Sequence, residues 1–456
     1  MHIQIERPRL GIPACLLVDD STPSINPLYY FRLQVDGERY ERHERTIPLD
    51  FMEQFVGVCQ TRGIRGKFTI LPYPAGLGTI LTGLEGYDRE EMKRWLDLAR
   101  TGLAPRFDIT PEILTHTRAL DLRTGTLLPE SEHDWMAGHT CEELAEYMGA
   151  ALKILKEAGF APGGITQPCY FKGSRPAFVR AVMESIRAVG GPAVTFYFLD
   201  DYLGKTPVPP LPVDLLDRQR GEAVLSMVML AEEYFWPTQR LERQEAGWAA
   251  DQVADLFSSA LSDLRPESQG AEWVADRFIA ADGRSGRLVE LAESNGWLVM
   301  CCHWQSLYSD GSRQGLAALD KVAERLSRTY GPHLLWMTAG EMARYRAASE
   351  GCRIDPLPGT DNWAFNLDAA FDCPDFTFTL QSPDLAEVRM DQVSFQFTGE
   401  APQSLAHAGG DDGGDGLLSP GEWRQGKGQD QLSLCVHLQR GAQVLRLIPV
   451  KSSIGS

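Results

Sequence analysis

Between residues 10 and 350, segments with the apolar pattern of a strand alternate with segments of helical spacing. The helical pattern of residues 47–62, for example, precedes the strand pattern of residues 67–71. Thr140 and Thr338 each stand three residues before a glutamate, which predicts two helices that begin with capping boxes. Repeated β-α units predict a parallel sheet. About seven or eight strands in this length favour its closure into an irregular (β/α) barrel.

The pattern changes after Gly351, where helical periodicity stops and short alternating segments are separated by Pro, Gly and Asp. This pattern is typical of an all-β module, and we expect a small sandwich-like domain over residues 353–456. Residues 1–350 would then form the barrel. Within them, a proline-rich and then polar stretch around residues 204–285 indicates a possible inserted lid.

Composition excludes some partners. The formal net charge of −18 argues against a nucleic acid or an anionic membrane, because both require a basic surface. Nine cysteines in 456 residues are too sparse for a disulfide framework. No apolar signal region opens the chain, and no stretch reaches the roughly 18 apolar residues of a membrane span. We therefore expect a cytoplasmic protein, whose oligomeric state the sequence leaves open.

Two adjacent carboxylates, Asp19 and Asp20, follow the apolar run of residues 12–18. In α/β proteins, ligands bind at the carboxyl ends of parallel strands. A buried acidic pair there requires a cation or a proton to neutralise it. The pair therefore predicts a metal ligand beside a general base, and the alternative is a solvated turn.

Several histidines occupy comparable places in the sequence. His303 and His116 each end an extended segment, and His133 and His139 lie just before the helix that Thr140 opens. Two imidazoles and one carboxylate can hold a divalent ion and leave positions free for water. A further His and Asp could supply the acid and the base.

The order of these segments resembles the polysaccharide deacetylase family, the carbohydrate esterases with a NodB-like domain. Asp19-Asp20 matches the first motif of that family, and the resemblance implies that Asp19 is the general base and Asp20 a metal ligand. His116 matches the start of the second motif, which supplies two metal-binding imidazoles. Leu120 stands where the second His belongs, so His133 is the candidate replacement, with His139 as the second choice.

The remaining motifs imply further roles. Gln167 stands where the family has an arginine that orients the base, and Asp201 resembles the fourth motif weakly. His303 matches the fifth motif and would be the general acid, with Trp304 beside it as a platform for a sugar ring. The resemblance thus implies a deacetylase-type barrel that binds a divalent metal, zinc foremost. It would remove an acyl group from an N-acylated sugar or a related amide, with Gln167, Asp201 and Trp304 contacting the substrate.

Two other functions stay open. A glycoside hydrolase would use two strand-end carboxylates, one from Asp19 or Asp20, and a barrel followed by a β module suits that class at least as well. The candidates for its second carboxylate are Asp200, Asp201, Glu232 and Glu233. A non-catalytic carbohydrate-binding protein would use some of the ten tryptophans to hold a glycan.

Overall fold

A computed structural model of the chain describes residues 1–23, 32–35, 38–41, 46–167, 171–239, 242–243, 269–357, 364–386, 390–397, 403–408, 416–426 and 430–449. The helices are α1 (Leu49–Arg62), α2 (Arg89–Leu98), α3 (Glu132–Ala137), α4 (Cys141–Glu157), α5 (Arg175–Ala188), α6 (Ala271–Phe278), α7 (Arg287–Glu293), α8 (Trp304–Tyr308), α9 (Gln314–Tyr330), α10 (Ala339–Gly351) and α11 (Pro383–Ala386). Among the described residues, no helix combines the length and the apolar character needed to cross a bilayer.

The strands up to α10 are β1 (His2–Ile5), β2 (Ile12–Asp19), β3 (Arg32–Val35), β4 (Glu38–Glu41), β5 (Gly66–Ile70), β6 (Phe107–Pro111), β7 (Arg118–Asp121), β8 (Thr126–Ser131), β9 (Gly164–Thr166), β10 (Val194–Tyr202), β11 (Val213–Asp217), β12 (Glu222–Met229), β13 (Glu242–Arg243), β14 (Leu298–His303) and β15 (Leu334–Trp336). The later strands are β16 (Cys352–Pro356), β17 (Ala364–Ala369), β18 (Cys373–Gln381), β19 (Met390–Phe397), β20 (Gln403–His407), β21 (Glu422–Gln425), β22 (Gln431–Leu438) and β23 (Gly441–Pro449).

Two mostly parallel sheets form the first part of the molecule. One has the order β14-β2-β5-β6, with β15 also paired to β2, and the other has the order β11-β12-β10-β9, with β11 antiparallel. Parallel bridges between Glu112 and Thr166 and between Ala231 and Met300 connect the edges of the two sheets. The result is a nearly closed barrel, so the predicted α/β barrel is confirmed in this general form. Both predicted capping boxes are formed, at the starts of α4 and α10.

The register of the strands brings their carboxyl ends to one rim of the barrel. His303, the last residue of β14, is the register partner of Asp19 at the end of β2. On the other side of β2, Val18 pairs with Phe68 of β5. The strand β5 pairs in turn with β6, and Pro111 is the last residue of β6 in this register. The acidic pair and His303 therefore lie at the same rim, where ligands of α/β barrels bind.

A nine-stranded sheet occupies the C-terminal part, with the order β1-β18-β22-β21-β20-β19-β23-β17-β16. Its first strand comes from the N-terminus, since Ile5 of β1 pairs antiparallel with Phe378 of β18. Residues 2–5 therefore belong to this sheet although the predicted boundary assigned them to the barrel. Four alternating residues are too few to reveal which sheet they join. The sandwich-like arrangement stays a prediction.

The barrel and this sheet share one hydrophobic core, which continues from the barrel strands through α10 to β18 and β22. Tyr345 of α10 donates a hydrogen bond from its hydroxyl to the carbonyl of Glu6. The division at Gly351 into two domains stays a prediction. The range expected to hold a lid, residues 204–285, includes the barrel strand β12, and residues 240–241 and 244–268 of it lie outside the described ranges.

Gly66 of β5 is the register partner of Leu16 in β2. A Cβ atom at this position would lie 1.8 Å from the carbonyl oxygen of Leu16. We expect Gly66→Ala to lower the free energy of unfolding by about 3 kcal/mol, because the two strands would have to separate. The matched control is Gly57→Ala in α1, where a Cβ would meet nothing within 4 Å. That substitution should raise stability by about 0.5–1 kcal/mol. Equal melting temperatures for the two variants would contradict this account.

Candidate active site

Asp20 is a buried carboxylate with two well-placed partners. Asp20 directly follows β2, and its backbone adopts the left-handed conformation, with φ of 59°. The residue is 2% exposed. Its Oδ1 lies 2.7 Å from Nε2 of His116, and its Oδ2 accepts a hydrogen bond from Nε2 of Gln305 at 2.8 Å. Burial raises the pKa of Asp20, but the imidazoles of His116 and His303 outweigh it and hold that pKa well below its usual range. Asp20 is therefore ionised at any ordinary pH.

Glu112 is a second carboxylate in contact with the same imidazole. It follows β6 directly, and its Oε1 lies 2.9 Å from Nε2 of His116. Its Oε2 accepts a hydrogen bond from the backbone N–H of Asp20 at 2.7 Å. Burial and the negative charge of Asp20 raise the pKa of Glu112 to about 7, although His116 opposes the shift. Burial lowers the pKa of His116, but the charges of Asp20 and Glu112 raise it well above the ordinary value.

These environments give two neighbouring carboxyl groups opposite protonation states. Below pH 7, Asp20 carries a negative charge, His116 a positive charge, and Glu112 a proton. One carboxylate oxygen of Asp20, one of Glu112 and one imidazole nitrogen of His116 all lie within 4.8 Å of one another. Paired titratable groups whose pKa values are pushed apart are the usual arrangement of an acid and a base in an active site.

A buried glutamate shapes the loop that carries His116. Glu132, in the first turn of α3, accepts hydrogen bonds from the backbone N–H groups of Leu114, Thr115 and His116 at 3.1, 2.8 and 2.6 Å. It also accepts one from the hydroxyl of Tyr147 at 2.7 Å. The loop needs this support because His116 adopts a left-handed conformation, with φ of 58°. Such backbone strain costs about 1–3 kcal/mol and persists only where surrounding contacts hold it.

His303 is held against Glu233 on the other side of Asp20. Its Nδ1 lies 2.5 Å from Oε2 of Glu233, whose Oε1 accepts from the backbone N–H of His303 and from the hydroxyl of Ser306, both at 2.8 Å. With Nδ1 bound to the carboxylate, Nε2 faces Asp20, and its distance to Oδ2 is 3.8 Å. The side chain of His303 is 13% exposed, so it is the member of the site nearest to solvent.

Asp19 lies in the layer of side chains below Asp20 and forms a buried ion pair with Lys67 of β5. The Lys67 ammonium also donates to Oγ1 of Thr166 at 2.9 Å. The positive charge beside Asp19 thus comes from β5, and not from position 167, where the motif comparison would place it. The carboxamide of Gln167 is buried and makes no hydrogen bond within the part of the chain that the structure describes.

His133 is not assembled with the other two residues predicted to bind metal, Asp20 and His116. Its Nε2 lies 3.3 Å from the hydroxyl of Ser131 and 3.7 Å from Oδ2 of Asp134. It is not among the residues that bring their ligand atoms within 4.8 Å of one another at this rim. The expected trio is therefore replaced by Asp20, Glu112 and His116, because the hairpin of β7 and β8 carries His133 to a different position.

The platform for a sugar ring predicted at Trp304 is wrong. Trp304 is 0% exposed and packs in the core against Phe51, Phe55 and Phe68, with ring centroids 4.7–5.4 Å apart. These aromatic rings pack against the indole, so Trp304 presents no open face on which a sugar ring could stack. Asp201 lies on β10, and its side chain falls outside the described residues.

Four contributors to the site escaped the sequence analysis, namely Lys67, Glu112, Glu132 and Gln305. Lys67 left a signal, because a lysine within a strand whose other residues are apolar or small must either face solvent or pair with a buried anion. Glu112 also directly follows a strand, but the sequence does not show where that strand ends, because a proline, Pro111, is its last residue. Glu233 was expected only as one of several second carboxylates of a glycoside hydrolase.

Comparison with known proteins gives few matches. No family model matches the chain, and no curated protein matches it. One matching structure is a glycoside hydrolase family 30 subfamily 8 xylanase from Clostridium acetobutylicum, with 9% identity, coverage of 97% of both chains and a TM-score of 0.32. Another is the catalytic domain of a family 30 xylanase C from Talaromyces cellulolyticus, with 8% identity, coverage of 98% of this chain and 99% of that one, and a TM-score of 0.27.

These findings contradict the membership of the polysaccharide deacetylase family that the motifs implied. The amide-hydrolase function and the zinc cofactor came only with that resemblance, and they are wrong together with it. At TM-scores near 0.3, the likeness to xylanases carries no argument of its own. A function for this chain has to be argued from the geometry of the site.

Glu132→Ala tests how the loop of His116 is held. The change leaves three backbone N–H groups and one hydroxyl without an acceptor in a buried place, so we expect a loss of about 3 kcal/mol or more in the free energy of unfolding. Tyr147→Phe removes one of the four bonds to Glu132 and also the acceptor of the Leu120 backbone N–H, and it should cost about 2 kcal/mol. Chemical denaturation measures both changes. Glu130→Ala, at an exposed position of β8, is the matched control and should leave stability unchanged. An E132A variant as stable as that control would contradict the assigned role.

Proposed function

We propose that this chain is a glycoside hydrolase, in which Asp20 and Glu112 are the two carboxyl groups that act on the glycosidic bond. The observation that carries the proposal is the opposite shift of their pKa values at one barrel rim. Asp20 stays ionised, whereas Glu112 keeps a proton up to about pH 7. Hydrolysis of a glycoside needs one carboxylate and one carboxylic acid beside the same bond.

In the proposed reaction, Glu112 donates its proton to the oxygen of the departing sugar as the bond from that oxygen to the anomeric carbon breaks. Asp20 attacks the same carbon and forms a covalent glycosyl ester. Glu112, now ionised, takes a proton from a water molecule, and the water oxygen replaces Asp20 at the anomeric carbon. The sugar leaves with its new hydroxyl, and both carboxyl groups return to their starting states.

The short separation of the two carboxyl groups favours this two-step course. Retaining glycosidases hold their carboxyl groups about 5–5.5 Å apart, whereas inverting enzymes leave about 6.5–9.5 Å for a water molecule. One oxygen of Asp20 and one oxygen of Glu112 lie within 4.8 Å of each other, and both contact Nε2 of His116. We therefore infer that the anomeric configuration of the substrate is retained.

Other polar groups near this rim are available for sugar hydroxyls. We assign His303 to a hydroxyl beside the reacting carbon, because its Nε2 faces Asp20 and Glu233 fixes its ring. Gln167 can both donate and accept through its buried carboxamide, which makes it a candidate for a further hydroxyl. Asp201, expected at the substrate from the sequence, stays a candidate.

Leaving-group dependence tests the assignment of the two carboxyl groups. Glu112→Gln should lower kcat/KM on para-nitrophenyl glycosides by about 100-fold or more, since the departing oxygen needs its proton. The same variant should stay close to the parent on dinitrophenyl glycosides, whose leaving groups need no acid. Asp20→Asn should be inactive on both, because it removes the attacking carboxylate. The release of the phenolate from aryl glycosides of several different sugars gives kcat/KM for each variant.

Glu233→Gln is the matched control for this comparison, since it changes another carboxylate of the site without touching the proposed pair. If E233Q, and not E112Q, retained activity only on the dinitrophenyl substrates, Glu233 would be the acid and our assignment would be overturned. If the parent cleaved none of the aryl glycosides, the proposed function itself would be refuted.

The dependence of kcat/KM on pH follows from the two shifted pKa values. Glu112 acts as an acid only while protonated, so activity should fall roughly tenfold per pH unit above the pKa of about 7. Asp20 must be ionised, and its lowered pKa places the acidic limb below the usual carboxyl range. In a stopped assay on a para-nitrophenyl substrate, the parent should show a plateau of kcat/KM from pH 4 to about 6.5 and then an alkaline limb, which the E112Q variant should lack. On a dinitrophenyl substrate, whose leaving group needs no acid, neither protein should show that limb. An alkaline limb of equal pKa in E112Q would exclude Glu112 as its origin.

A further inference from the structure

Lys67 lies inside the barrel, in the layer of side chains beneath the proposed reacting carboxylates. It is 0% exposed. Its ammonium forms an ion pair with Asp19 of β2, donates to Thr166 of β9, and lies 4.6 Å from the centre of the Phe198 ring on β10. One side chain of β5 thus connects strands that belong to both sheets of the barrel.

Neither charge of this pair is stable in the interior without the other. An isolated ionised group loses its hydration on burial, and breaking a buried pair leaves an uncompensated charge. The other oxygen of Asp19, Oδ2, lies 3.9 Å from the thiol of Cys301, which is a weak partner. Lys67 is therefore the group that makes burial of the Asp19 carboxylate possible.

The pair also matters for the next residue. Asp20 follows Asp19 directly, and its backbone N–H is bound to Glu112 while its carboxylate contacts His116 and Gln305. Burial raises the pKa of Asp19, so without Lys67 this residue would take up a proton or, where it stayed ionised, repel the carboxylate of Asp20. The end of β2 could relieve the repulsion by turning Asp19 towards solvent. That movement would take Asp20 away from His116.

We propose that Lys67 is a positioning residue, which neutralises Asp19 and thereby keeps Asp20 in place beside His116 and Glu112. Lys67 lies below the rim and acts on the reaction only through Asp19. The proposal rests on the proposed function to the extent that Asp20 is the reacting carboxylate. The part that concerns the ion pair itself can be tested without any substrate.

A double-variant cycle separates charge compensation from simple packing. Lys67→Met keeps most of the volume of the side chain but leaves Asp19 unpaired, and we expect the melting temperature to fall by at least about 5 °C. On an aryl glycoside, kcat should fall on the order of 100-fold while KM changes little, because the attacking group is displaced. The K67M/D19N double variant removes both charges at nearly constant shape. It should recover most of the melting temperature and at least about tenfold in kcat.

Lys153→Met, an exposed lysine of α4, is the matched control and should change neither quantity. Recovery in the double variant supports the proposal, as does a double variant that folds where K67M alone does not. A double variant as impaired as K67M, or one that fails to fold, would overturn it, because loss of packing would then explain the effect. The melting temperatures need no turnover, so they remain decisive even if the parent cleaves no glycoside and the proposed function fails.

Discussion

Burial of negative charge at one rim of the barrel is the constraint on which the rest of the site depends. Among the described residues, five carboxyl groups there are removed from water, and each has a compensating partner, although Asp20 and Glu112 share His116. The pairs are Asp19 with Lys67, Asp20 with His116, Glu112 with the backbone N–H of Asp20 and the His116 imidazole, Glu132 with the backbone of residues 114–116, and Glu233 with His303. The partners differ in kind, and this difference gives each carboxyl group its own chemistry.

The contrast between Asp20 and Glu112 shows how such partners set the protonation states of neighbouring carboxyl groups. Both contact the same imidazole nitrogen, yet Asp20 gains one additional hydrogen bond from Gln305 and the positive field of His303, whereas Glu112 faces the negative charge of Asp20. One group is thereby held ionised and the other protonated near neutral pH. A single cluster can then provide a nucleophile and an acid without any difference in residue chemistry.

Local features of the fold were predictable from the sequence. The β-α repeat, the capping boxes of α4 and α10, and the change to strands after Gly351 all follow from patterns within short segments. The convergence of Asp19, Asp20 and His303 was also predictable, because parallel strands end at a common rim. The family assignment and its metal were wrong, since a motif compares residue types in order and contains no information about which groups meet. His133 and Trp304 show this, as both have suitable types and unsuitable places.

The sequence by itself determined which segments become strands and helices, because periodicity and capping act over a few residues. The tertiary structure decided the charge state of the site. Asp20 takes its hydrogen bond from Gln305, 285 residues away, and the partner of Asp19 comes from a strand 48 residues away. The protonation of a buried carboxyl group depends on desolvation and on the distance to other charges. The desolvation of each carboxyl group and its distances to other charges are fixed only when the folded barrel brings distant strands together.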